Sequence, residues 1–167
     1  MGKVLQALAV FGGTIGLACL LGIALDLVTA NFAVEYFTVH HPTLVESESP
    51  WVMALVWGVV ASWWAGAIAG VSLALVNLRT QLPALRVLHM VAVACGVVWV
   101  LVMVVLASVY VLSGFFSFES LSVRFDEDRR LIAVNIAHRC MYLFAALGTF
   151  VVAVKMSLIR HRESTRR

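Results

Sequence analysis

The stretch LHMVAVACGVVWVLVMVVLASVYVL, residues 88–112, contains no Asp, Glu, Lys or Arg. As a helix, 25 residues rise roughly 37 Å, enough to cross a hydrocarbon layer of ~30 Å. A membrane-crossing strand needs only about ten residues and alternates apolar with polar side chains. This run is longer and does not alternate. A backbone in lipid must also satisfy its own N–H and C=O groups, which a helix does within one segment. The stretch therefore reads as a helical span.

Similar runs lie on either side, at about residues 5–29, 51–76 and 132–158, the last most apolar from Cys140 to Leu158. The chain has 167 residues, 62% hydrophobic and 13% charged, where soluble domains carry roughly 25% charged residues. One soluble core of this size would leave too much apolar surface exposed. The expected fold is all-α: a single integral-membrane four-helix bundle. Its first run begins like a secretory leader, but it continues well past Cys19, and Gly16 stands where a lipoprotein leader places Leu. It reads as a retained span.

Charge placement sets the expected orientation. Lys3, Arg79, Arg86, Lys155, Arg160, Arg162, Arg166 and Arg167 fall on one side of such a bundle, eight of the twelve basic residues. Seven of the nine acids fall on the other: Glu35, Glu46, Glu48, Glu119, Asp126, Glu127 and Asp128. The excess of Lys and Arg marks the cytoplasmic side, so both termini are expected there. The net charge of +3 comes from residues flanking apolar runs and forms no basic stripe, which argues against nucleic acid as a partner. FGGTIG (11–16) lies inside an apolar span, so it is no phosphate loop. Cys19, Cys95 and Cys140 are isolated, without a C-x-x-C pair, and read as small core residues.

The inner connection NLRTQLPALR (77–86) is short, which favours antiparallel neighbours. The outer connections, 31–50 and 113–130, are long enough to carry function. The second spaces Phe115, Phe116, Phe118 and Phe125 among charges and is expected to lie on the membrane surface. Small residues four apart, Gly12/Gly16, Ala18/Gly22 and Gly66/Gly70, suit close helix contacts, within the bundle or toward a second copy or larger membrane complex. Trp57, Trp63 and Trp64 in the second span read as packing against those faces or as a stacking surface for a quinone or lipid.

Four polar residues form a candidate site at the outer face. Asp26 is the one acid inside an apolar run and must face the bundle or the interface. Glu35 is nine residues further on, which on an unbroken helix points the opposite way, so the two share a site only if the chain bends. His40 and His41 diverge, and Pro42 limits helix at His41. His138 shares a stripe with Asn135 and Tyr142. Asp26, Glu35, His41 and His138 thus reach one depth. Such a set suits a divalent metal ion, or it locks the helices by hydrogen bonding. His89, near the cytoplasmic end of its span, is too far from His138 in depth for the two to hold one haem.

EYFTVHHP (35–42), followed by ESPW (48–51) and WGVVASWWAG (57–66), resembles a group of small, uncharacterised bacterial four-span integral-membrane proteins. The resemblance covers roughly residues 25–80, with an echo at AHRCMY (137–142). It runs through Asp26, Thr29, Ala30, Glu35, Tyr36, Phe37, Thr38, His41 and Pro42, and makes His41 rather than His40 the matching histidine. Leu25 stands where that pattern often has His. The resemblance implies a bacterial inner membrane and no activity. Three function classes remain: a non-enzymatic membrane protein with a polar cluster, a membrane redox or enzyme subunit using a metal or quinone at that cluster, and an accessory subunit of a larger complex.

Overall fold

A computed structural model describes residues 2–47, 49–115 and 125–165. Their elements, in order, are α1 (Lys3–Phe32), α2 (Glu35–Thr38), α3 (Pro50–Thr80), α4 (Ala84–Phe115) and α5 (Phe125–Thr165). No strand occurs among the described residues. Four helices, all but the short α2, are long and apolar enough to cross a membrane. Each runs past its apolar run: α1 begins at Lys3 and α4 continues to Phe115. The apolar window marks where hydrocarbon would be, and helical hydrogen bonding does not stop there. Residues 116–124 of the expected surface segment lie outside the described residues, while 125–130 form the first turns of α5.

The α1–α3 contact is the closest in the fold. On α3, Gly58, Ser62, Gly66 and Gly70 repeat every fourth residue, and all four are buried. A Cβ at Gly58 would sit 2.6 Å from the Ile23 backbone, and one at Gly70 would sit 2.8 Å from the Phe11 carbonyl. Only a side-chain-free position allows that approach. The matched pairs, Gly58 with Ile23 and Gly70 with Phe11, run in opposite chain directions, so α1 and α3 are antiparallel. Gly148 against Ala94 and Arg129 against Gly114 show the same for α5 and α4.

These two antiparallel pairs close into a four-cornered bundle in the circular order α1, α3, α5, α4. Leu88 packs at Gly13 and Tyr110 packs on Phe32, so neighbouring α1 and α4 run parallel. It follows that α3 and α5 are parallel and that the start of α1 and the end of α5 lie at one end of the bundle. At that end Val10, Leu73, Val87, Val152 and Met156 form one buried cluster; at the other, Leu25, Val102, Val134, Ala137 and Met141 form a second. Large apolar side chains also cover the outside of every helix, including Leu20, Ile68, Val104 and Phe150, each more than half exposed.

The helix ends are specified locally. Pro50 occupies the first turn of α3, where its missing N–H costs nothing. Gln81, the one non-glycine residue with positive φ (56°) among the described residues, terminates α3 by donating its N–H to the Asn77 carbonyl at 2.8 Å. The Gln6 side chain accepts a hydrogen bond from Ala84 N–H at 3.2 Å, which satisfies one free donor at the start of α4.

Candidate functional site

α1 and α5 occupy opposite corners of the bundle, and Asp26 and His138 meet across that diagonal. Asp26 sits six residues before the end of α1, 3% exposed; His138 lies on α5, 8% exposed. Their contact, Nε2 to Oδ1, is 2.8 Å. The other ring nitrogen, Nδ1, is 2.9 Å from the Val134 carbonyl, one turn earlier on α5. A carbonyl only accepts, so Nδ1 carries a hydrogen and donates it. The 2.8 Å contact then holds one further proton, on the imidazole or on the carboxyl. In either form the pair is net neutral, which suits its surroundings of Leu25, Ala133, Ala137 and Met141.

The chain covers this pair from the far end of the bundle. Helix α1 stops at Phe32, Ala33 takes an extended conformation (φ −152°), and the single turn α2 follows. That break points Tyr36 at the pair. Its ring stacks on His138 at 4.8 Å and lies 4.5 Å from the His41 ring. Phe37 is edge-on to His138 at 6.0 Å, and Trp57 is edge-on to His41 at 4.8 Å. His41 Nδ1 donates to the Tyr36 carbonyl at 2.7 Å, closing the loop on itself. Burial, and after it the nearby Asp26 carboxylate, push the Tyr36 phenol up to about 12. Tyr36 is thus a neutral lid. Beneath His138, Tyr142 donates its hydroxyl to the Ala61 carbonyl at 3.0 Å and stacks on Trp64 at 5.5 Å, which ties α5 to α3.

The four residues expected at one depth are arranged unequally. Asp26 and His138 bond directly. His41 reaches the cluster through the Tyr36 ring. Glu35 is half-buried at the start of α2, and among the described residues its carboxylate makes no hydrogen bond or ion pair. Both nitrogens of His138 are engaged, so among the described residues His41 Nε2 is the only imidazole nitrogen of the cluster without a hydrogen-bond partner. Among the described residues no three His, Cys, Asp or Glu side chains converge in a group that would hold a metal ion. His40 and Asn135 are exposed, and His89 is exposed near the start of α4, at the opposite end.

Two arginines complete this end. Arg130 donates to the Phe32 carbonyl at 3.3 Å, at the C-terminus of α1. Arg129 donates to the Tyr110 carbonyl at 2.8 Å and to Ser113 Oγ at 3.3 Å, in the last turns of α4, and lies 4.7 Å over the Tyr110 ring. Because α1 and α4 are parallel, their negative ends lie side by side, and each receives one guanidinium. Sequence reading took both residues only as charges outside the span. The available signal was a basic pair heading a helix, level with two helix C-termini. Comparison with protein-family models, with curated proteins and with solved structures gave no match.

Proposed function

We propose that this chain is a non-enzymatic, multi-pass membrane protein of the bacterial inner membrane, with its termini in the cytoplasm, in which the Asp26–His138 pair locks one helix pair onto the other near the outer face. The observation that carries this reading is the engagement of both ring nitrogens of His138: Nδ1 by the Val134 carbonyl, and Nε2 by Asp26 Oδ1. A group poised for catalysis or for ligating an ion keeps an open position; His138 has none. The apolar girdle and the distribution of basic residues support the membrane placement.

Metal analysis of the detergent-purified chain tests the reading. It expects no stoichiometric metal, with His41→Ala and His138→Ala both folded and only less stable. One equivalent of metal, lost in both variants, overturns it and favours the rival reading of a divalent metal site at Asp26, Glu35, His41 and His138 that serves redox or enzymatic chemistry. Reporter fusions in the 40–47 segment test orientation: export is expected, and a cytoplasmic signal reverses it.

A second reading, an accessory subunit that packs on another membrane helix or a second copy, is favoured by Gly12 and Gly16. A Cβ at either meets nothing within 4 Å, whereas Gly22, Gly58, Gly66 and Gly70 are filled from within the bundle. Crosslinking of Gly12→Cys or Gly16→Cys, in a variant whose Cys19, Cys95 and Cys140 are replaced by Ala, distinguishes the two: a crosslinked dimer or heteromer supports the accessory role, and monomer alone removes it.

A further inference from the structure

A cavity of about 400 Å³ lies within the bundle, reaching Thr14 and Leu21 of α1 and Val91 and Val98 of α4, and its exposed lining, Trp64, Ile68, Ser72 and Ala146, lies on α3 and α5. Small residues shape it: Ala65, Gly66 and Ala69 on α3, and Ala145, Ala146 and Gly148 on α5. It follows α3 from Trp64 to Leu73 and α5 from Tyr142 to Val152, a length of roughly 14 Å at helical rise. The channel is walled by apolar and small side chains along that length, which suits a hydrocarbon chain. The few hydroxyls in the wall already donate to their own helices: Thr14 to Val10, Ser72 to Ile68 and Thr149 to Ala145. A wall with so few donors to spare suits a chain rather than a carbonyl-bearing ring.

The lining of this channel begins at the Trp64–Tyr142 stack, with Trp64 still 45% exposed, and runs from there toward the end of the bundle where α1 starts and α5 ends. Arg79 is seven residues beyond Ser72 on α3, and Lys155 is seven beyond Gly148 on α5. A seven-residue step returns to the same helix face within about 20°. Both cations therefore flank the line of the channel. Measured along their parallel helices from the Trp64–Tyr142 level, they lie at similar depths, roughly 22 Å for Arg79 and roughly 20 Å for Lys155. Both are exposed, and neither makes an ion pair among the described residues, unlike Arg86, which bonds Glu163 at 3.3 Å.

We infer that the α3–α5 channel is a binding site for a single anionic phospholipid of the leaflet at the terminal end. One acyl chain lies in the channel with its tip under Trp64 and Tyr142, and the phosphate sits between Arg79 and Lys155. The inference rests on the membrane placement proposed above and is independent of the Asp26–His138 lock.

The test uses the full chain in phosphatidylcholine vesicles containing a small fraction of either phosphatidylglycerol or phosphatidylcholine with brominated acyl chains. The readout is tryptophan quenching that disappears in Trp64→Phe. Half-quenching is expected at a roughly 25-fold lower fraction of brominated phosphatidylglycerol, since each of the two cations near an anionic headgroup is worth about fivefold in affinity. Arg79→Gln and Lys155→Gln each reduce the preference about fivefold, and the double variant removes it. Ala69→Phe fills the channel and removes Trp64 quenching by both lipids. Equal quenching by the two lipids in the parent chain, or a preference unchanged in the double charge variant, overturns the inference. A chain that fails to float with the vesicles overturns the membrane placement itself, which separates the two failures.

Discussion

Replacing Asp26 and His138 singly and together gives a sharp test of the diagonal pair. If the proton resides on the imidazole, the two charges at 2.8 Å attract by roughly 6 kcal/mol at an effective dielectric constant near 20. Withdrawing each ion from water costs several kcal/mol, so attraction and desolvation nearly cancel. The intact pair thus adds little net stability. Removing one member is different, because it strands the other at 3% or 8% exposure among Leu25, Ala133, Ala137 and Met141. Asp26→Leu and His138→Leu should each lower unfolding free energy by about 3 kcal/mol, the low end for a broken buried pair. The double variant, apolar at both positions, should lie within about 1 kcal/mol of the parent. Asp26→Asn retains a hydrogen-bonding side chain opposite Nε2 and should cost about 1 kcal/mol, near the scale of hydrogen bonds between membrane helices. SDS titration of the protein in mixed micelles, followed by far-UV circular dichroism, measures all four. Single losses that simply add in the double variant would refute the reasoning, since the two groups would then act separately.

The close α1–α3 contact predicts opposite behaviour for two sets of glycines in the same assay. Gly58→Ala and Gly70→Ala drive a methyl into backbone and should cost about 1–3 kcal/mol, while Gly12→Ala should change stability by less than about 1 kcal/mol. Ser62→Ala should be neutral or stabilising, because the Ser62 hydroxyl is buried against Gly22 without a hydrogen bond. Arg130→Gln should cost about 1 kcal/mol through loss of a cation at the α1 C-terminus, and it should lower the thermal midpoint without altering helix content. Tyr36 predicts an alkaline transition. Its folded pKa of about 12 lies above the ordinary 10.0, so its contribution is complete below pH 10 and is lost as pH rises through 12. Thermal midpoints should fall over that window, and Tyr36→Phe should show a smaller fall; identical slopes would exclude Tyr36 as the cause.

The four long helices were legible because residues such as 88–112 carry no full charge over a length only a span requires. Their ends were not, because helical hydrogen bonding continues through Lys3 and Phe115, beyond the apolar window. The level of the site was also legible: spacing put Asp26, Glu35, His41 and His138 near one end. Their partners were not. Periodicity reports which face of a helix a residue occupies, but not which helix stands opposite, and the α1–α5 diagonal follows from the circular order of the bundle. The bend needed between Asp26 and Glu35 does occur, at Ala33, but it delivers Tyr36 to the pair and leaves the Glu35 carboxylate unengaged. Arg129 and Arg130 act on carbonyls of α4 and α1 that only the assembled bundle brings within reach.

The diagonal pair joins residues 112 positions apart. A ribosome adding about 5–20 residues per second needs roughly 6–22 s to go from Asp26 to His138. Throughout that interval the nascent protein holds a carboxyl group inside its first helix with no imidazole to share its proton. Any chain stopped before the last helix keeps that defect permanently. The acid on α1 therefore marks unfinished copies chemically, and the mark disappears only when synthesis reaches the final span.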